Sequence, residues 1–213
     1  IPAWASTHPD EGERIATVKK RVAALPPGAL NGTRTGEAEF LQRLQGLTFG
    51  ENPRNGFFRE NEFMHPDMAF RMTFPQGWKT QNTPQAVVGV SPQQDAALQL
   101  TLAKGEPQAA AQQFLSQQGL QAGQVAQQSI NGLQAVVAQF AAQTEQGVVQ
   151  GLVGFVPYKN ATFQVVGYSP QQRYAAMEKT FQSTLASFGP LTDKDALNVQ
   201  PRRLDIVKLP RAM

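Results

Sequence analysis

Asn131-Gly132 stands between two runs of alternating residues, Gln124–Ile130 and Leu133–Ala142. Both residues of that dipeptide accept positive φ, as a two-residue type I′ hairpin turn demands, so the two runs are predicted to pair as antiparallel strands. The same texture extends on both sides. Met68, Phe70, Met72 and Phe74 alternate with Ala69, Arg71 and Thr73, the pattern of a half-buried strand. Pro75-Gln76-Gly77 then makes a turn ahead of Trp78. Ala86–Val90 and Ala97–Ala103 are further strands, with Leu98, Leu100 and Leu102 on one face and Gln99 and Thr101 on the other. Val148–Val156 and Thr162–Tyr168 complete the set. Little chain separates them, so a chiefly antiparallel meander is expected.

Helices frame this β-rich stretch. Pro107 to Gln118 reads as an Ala/Gln-rich helix ended by Gly119. A final helix follows Ser169, with Pro170 in its first turn and Gln172 completing a capping box. Its core stripe is Tyr174, Met177, Phe181, Leu185 and Phe188, and Gly189-Pro190 ends it. Near the start, Pro9 opens a helix whose stripe is Ile15, Val18, Val22 and Leu25, stopped at Pro26-Pro27-Gly28. A shorter helix spans about Gly36 to Gln45 with Phe40, Leu41 and Leu44 as its apolar face. The fold class that follows is α+β: an antiparallel sheet with helices packed on it, preceded by a helical segment. Three regions are expected, 1–50 helical, 51–190 the sheet module, and 191–213 a C-terminal extension with a strand at Arg203–Leu209.

Composition removes several functions. There is no cysteine, which excludes thiol catalysis, iron–sulfur clusters, Cys-based zinc sites and disulfides, and fits an exported protein. Charged residues are only 16%, and glutamine supplies roughly one residue in eight in their place. The net charge of +3 is scattered, without the basic stripe or interleaved aromatics of a nucleic-acid binder. No apolar run is long enough for a transmembrane segment. The chain opens on Ile1 without a signal peptide's pattern, as expected of a processed form or a cut piece.

The candidates for chemistry are few. His8 and His65 are the only histidines, each before a proline, and no HExxH spacing is present. For His65 a turn position accounts for the residue. His8, placed at the N-cap of the first helix, can either cap or point into a neighbouring cleft. No Gly-x-Ser-x-Gly, Walker or Rossmann pattern occurs, and Glu60, Glu62 and Asp67 lie close in sequence with nothing to unite them in a site. On these residues the chain is expected to be non-catalytic, with no cofactor of its own.

Ser6-Thr7-His8-Pro9 followed by Arg14-Ile15 resembles a segment of the HExxH zinc metallopeptidases of the HtpX and CAAX-prenyl-protease type. Gly46-Leu47-Thr48-Phe49-Gly50, Asn52-Pro53, Gly56, Phe63-Met64-His65-Pro66, Phe74-Pro75-Gln76-Gly77-Trp78 and Asn82 then follow in a succession similar to the C-terminal half of secreted bacterial members. The resemblance implies a non-catalytic C-terminal module of a periplasmic zinc-dependent metalloendopeptidase, working in proteolysis and protein quality control. Its partners would be an upstream catalytic domain and a protein substrate or envelope protein. Zinc would belong to the full-length protein, and this chain would be inactive alone. In that family the histidine of the "THP" segment lies near the zinc cleft, as an extra ligand or a hydrogen-bond donor to the substrate oxyanion. That role transfers to His8 only, with Arg14 as its candidate neighbour. The middle region also looks like the PsbP-type α/β/α module, which implies a different alternative, a free-standing periplasmic binding or assembly protein without enzymatic activity.

Overall fold

A computed structural model describes residues 11–32, 34 and 36–207. They fall into two compact units, one of the residues up to Gly46 with those from Asp205 onward, the other Leu47–Leu204.

The larger unit holds two antiparallel sheets. The smaller sheet has β1 (Phe57–Arg59), β2 (Glu62–His65), β3 (Phe70–Thr73) and β11 (Gly189–Pro190), in the spatial order β1-β2-β3-β11. The larger has β4 (Lys79–Asn82), β5 (Val87–Val90), β6 (Ala97–Ala103), β7 (Leu120–Ile130), β8 (Leu133–Thr144), β9 (Gly147–Tyr158) and β10 (Ala161–Pro170). Its order is β4-β5-β6-β10-β9-β8-β7. β7 to β10 form the expected meander, but β6 pairs with β10, not with β7. The helix α3 (Pro107–Leu115) carries the chain across from β6 to the far edge. Asn131 and Gly132 have φ of 49° and 83°, as the type I′ turn requires.

Two helices cover the larger sheet on opposite faces. On one, Ala110 and Ala111 of α3 pack against Val136, Ala138, Phe140, Val153, Phe155 and Val166. On the other, α4 (Gln171–Ala186) lays Tyr174, Phe181 and Leu185 on Val137, Leu152, Val165 and Leu98, with Phe188 just past its end. The strand period of two sends Val136 and Ala138 to one layer and Val137 to the other, so this sheet is apolar on both faces. α4 approaches closely because two strand positions lack a Cβ. One built on Gly154 would lie 2.5 Å from Leu185 Cδ1, and one on Gly167 2.5 Å from Phe181 Cδ1.

The expected stripe of α4 is found, whereas its expected cap is not. β10 continues through Pro170, which pairs with Val149, so Ser169 is a buried strand residue and Pro170 the N-cap, with no side-chain cap bond. Beyond α4, Leu191 and Ala196 are buried against Met64 and Phe57, and α5 (Lys194–Leu197) is capped by Asp193. In place of a strand from Arg203 there is a single bridge between Arg203 and Thr48; residues 208 and 209 lie outside the described ones.

The smaller unit contains α1 (Glu11–Ala23) and α2 (Glu37–Leu44). No described residue of this unit is fully buried. The α1 stripe forms, but Ile15, Val18 and Val22 are 56%, 59% and 47% exposed. Phe40, expected on the packed face of α2, is likewise exposed. Gln45 holds the two parts of the unit together, its amide donating to Asp205 Oδ1 at 2.9 Å while its Oε1 accepts from the Ile206 N–H at 2.7 Å.

Candidate binding cleft

The larger unit contains a cleft of about 710 Å³. Phe63, His65 and Phe70 come to it from the smaller sheet, and Val87, Leu100 and Phe163 from the larger one. Its mouth is built by the Glu51–Gly56 loop and the turn between β4 and β5. The apolar floor follows from strand alternation, since Leu98 and Leu100 are buried on the inward face of β6. Leu102 continues the same face where the covering layer ends, and is left 59% exposed at the mouth.

Local hydrogen bonds fix the mouth. Asn82 Nδ2 donates to the carbonyls of Asn55 and Gly56 at 3.1 and 2.9 Å, joining the β4–β5 turn to the 51–56 loop. Thr83 Oγ1 donates to the Ala86 carbonyl and accepts from the Ala86 N–H, so its hydroxyl is occupied by the turn. Gly56 has φ of 98°, and a Cβ there would fall 2.3 Å from Phe63 Cζ, so only glycine fits over this ring. Among the described residues Glu51, Asn55 and Gln85 have no side-chain hydrogen bond and remain open to a ligand.

His65 ends β2 and stacks on Phe70, with ring centroids 5.5 Å apart. Its Nδ1 accepts from the Met68 N–H at 3.2 Å, which places the proton of the neutral ring on Nε2. Burial lowers its pKa below the usual 6.5, with a smaller push from Arg54 and an opposing pull from Asp67. Arg54 Nε in turn donates to Asp67 Oδ1 at 2.6 Å, and its Nη1 donates to the Leu197 and Val199 carbonyls. His65 therefore does occupy a turn boundary before Pro66, and it also lines the cleft.

The sequence-predicted site residues lie elsewhere. His8 falls outside the described residues. Arg14 sits exposed on α1, in the smaller unit. The three neighbouring carboxylates go separate ways: Glu62 accepts from Arg71, Asp67 from Arg54, and Glu60 lies in the turn after β1. No three His, Asp or Glu side chains come together as a metal cluster among the described residues; the zinc that the peptidase resemblance implies would be held by the upstream domain. Asn52, Gly56, Phe63 and Asn82, all cleft residues, enter the sequence reading only within a motif succession, and His65 enters it also as a turn residue.

No protein-family profile matches this chain, and no curated protein does. Among solved structures it is similar to the cyanobacterial PsbP, CyanoP, of Synechocystis, at 14% identity and a TM-score of 0.49 over 61% of this chain and 91% of that one. It is also similar to LpqN of Mycobacterium tuberculosis, a protein involved in cell envelope biogenesis, at 12% identity and a TM-score of 0.40 over 56% and 81%. A Bacteroides thetaiotaomicron protein aligns at 13% identity and a TM-score of 0.46 over 64% of this chain and 50% of that one. The likeness to a zinc metallopeptidase rests on the sequence motifs alone.

Proposed function

We propose that this chain is a non-catalytic binding module whose cleft receives a segment of a partner protein. The observation that carries the reading is the composition of the cleft: an apolar floor of Phe63, Phe70, Leu100 and Phe163 under a mouth of uncommitted amide and carboxylate groups. The Thr83 hydroxyl is engaged by Ala86 and His65 Nδ1 by Met68, so these two groups are committed to holding the cleft's own backbone. A peptide apolar side chain would sit on the floor and its backbone would meet Asn55, Gln85 and Glu51.

The test is selection of peptides from a random displayed library on the 213-residue chain, repeated with Leu102→Glu. Peptides sharing an aromatic or aliphatic anchor and lost with the variant are expected. Enrichment that is unaffected by Leu102→Glu overturns the assignment of the cleft.

The finer reading attaches this module to an exported bacterial zinc metalloendopeptidase. It is supported by the Thr7-His8-Pro9 and Arg14-Ile15 segment, and by the α1 stripe, which no described residue of its own unit buries. His8 and Arg14 would then border the zinc cleft of the whole enzyme, and the chain alone would neither retain zinc nor cleave casein. Coding sequence for a helical HExxH and a later glutamate upstream of Ile1 is the expected finding. A start codon and signal peptide directly before Ile1 would instead leave the free-standing binding protein, and zinc retained stoichiometrically through dialysis would contradict the peptidase-module reading.

A further inference from the structure

Each sheet has two edges, and three of the four are protected against pairing with another strand. β4 is four residues long and carries Lys79; β1 is three residues long and carries Arg59; β11 is two residues long and ends on Pro190. β7 is different. It is 11 residues long, contains neither charge nor proline, and is exposed over residues 121–129. Side chains on both faces of the strand are exposed, so neither helical layer overhangs the edge. Its one irregularity is the register shift between Ala122 and Val125, which limits straight pairing to Val125–Ile130.

The hairpin decides which backbone groups this edge offers. Ile130 and Leu133 flank a two-residue turn and so exchange both their hydrogen bonds. Counting back by twos, Gln128 and Ala126 also bond to β8, and Ser129, Gln127 and Val125 aim their N–H and C=O groups outward. That outward set is symmetric about Gln127. A second copy running antiparallel sets Gln127 against its own equivalent and Val125 against Ser129, so all three outward residues are paired. Shifting the register by one pair to either side would leave one of the three without a partner. The facing side chains are uncharged, so no like charges oppose one another.

We infer that β7 is a self-association edge, through which two copies of this chain join their seven-stranded sheets into one continuous sheet about a two-fold axis at Gln127. The occupant is a second copy because the strand is its own best complement. It has no charge with which to select a partner of opposite sign, and its outward groups are related by the symmetry that a dimer needs.

The absence of cysteine provides the test. Gln127→Cys places two thiols across a bonded pair whose Cα atoms are about 5.5 Å apart, inside the span of a disulfide. Gln121→Cys lies six residues from the axis, and its two copies are roughly 40 Å apart. Air oxidation of the chain is expected to give a covalent dimer with Gln127→Cys and a monomer with Gln121→Cys. By light scattering, the unmodified chain at roughly 100 µM, a concentration that saturates a micromolar dimer, should show twice its 23.2 kDa. Gln127→Lys, which opposes two ammonium groups on the axis, should return it to the monomer mass. A monomer for the unmodified chain, equal crosslinking of both cysteine variants, or a dimer that survives Gln127→Lys would each overturn the inference.

Discussion

Asn131, at the tip of the β7–β8 hairpin, donates from Nδ2 to the carbonyl of Phe188 at 2.7 Å, just beyond the end of α4. The same amide meets the Ala186 carbonyl at 3.1 Å. One residue thus supplies a positive-φ turn position, satisfies the last carbonyl of α4 and holds the Phe188 carbonyl just past it.

The two roles separate by substitution. Asn131→Gly keeps the turn and loses the amide, and should cost about 1 kcal/mol. Asn131→Ala loses both, and should cost about 2 kcal/mol. Urea unfolding of both variants checks this, and equal losses would mean that only the amide contributes.

Gly154 and Leu185 form a second coupled pair. Gly154→Ala forces a methyl into Leu185 and should destabilise by about 1–3 kcal/mol. Leu185→Ala leaves a cavity and should cost about 2–5 kcal/mol. The double variant is expected to be more stable than the sum of the two, because the added methyl then enters space that Leu185 has vacated. Additive losses in the double-mutant cycle would show that α4 does not approach the sheet this closely.

Acid should weaken the fold through His65. Its pKa in the folded protein lies below the unfolded 6.5, because burial disfavours the imidazolium. The unfolded chain therefore binds the proton first. The stabilisation is complete above pH 6.5 and is lost as pH falls through the folded value. His65→Asn should flatten the dependence of urea midpoints between about pH 7.5 and 5, a window above most carboxylate titration. An unchanged slope would assign that dependence elsewhere.

At the cleft mouth, Gly56→Ala combines a positive φ with a collision against Phe63, and should cost about 2–4 kcal/mol. Gly77→Ala, whose Cβ would meet nothing within 4 Å, isolates the backbone part and should cost about 1 kcal/mol. Comparable melting temperatures for the two would show that the Phe63 ring yields.

The strands legible in the sequence are those with a clear period or a long apolar run between turn residues. β6 alternates over its seven residues, β8 and β10 are runs buried on both faces, and the Asn131-Gly132 turn sets the register of one pair. β1 and β4 escaped because Phe57-Phe58-Arg59 and Lys79–Asn82 show no alternation of apolar with polar residues. In β2 the adjacent Phe63 and Met64 are both buried, one in the main core and the other under Leu191 and Ala196, so alternation is erased there. The cleft was illegible for the same reason: His65 reaches it from β2 and Asn82 from β4. The capping reading at Ser169 failed because cross-strand pairing with β9 carried the strand one residue past the local signal.

The pairing of β6 with β10 also sets an order on the ribosome. β6 ends at Ala103, and its central partner begins only at Ala161, so Leu98 and Leu100 emerge with one neighbouring strand and no cover from α4. The contiguous β7–β10 meander can form by local contacts, whereas joining it to β4–β6 requires closure of a long loop. Newly made chain is thus most prone to stick to other chains after β6 has emerged and before β10 follows, and an arrest of translation in that interval would leave an apolar strand without its partner.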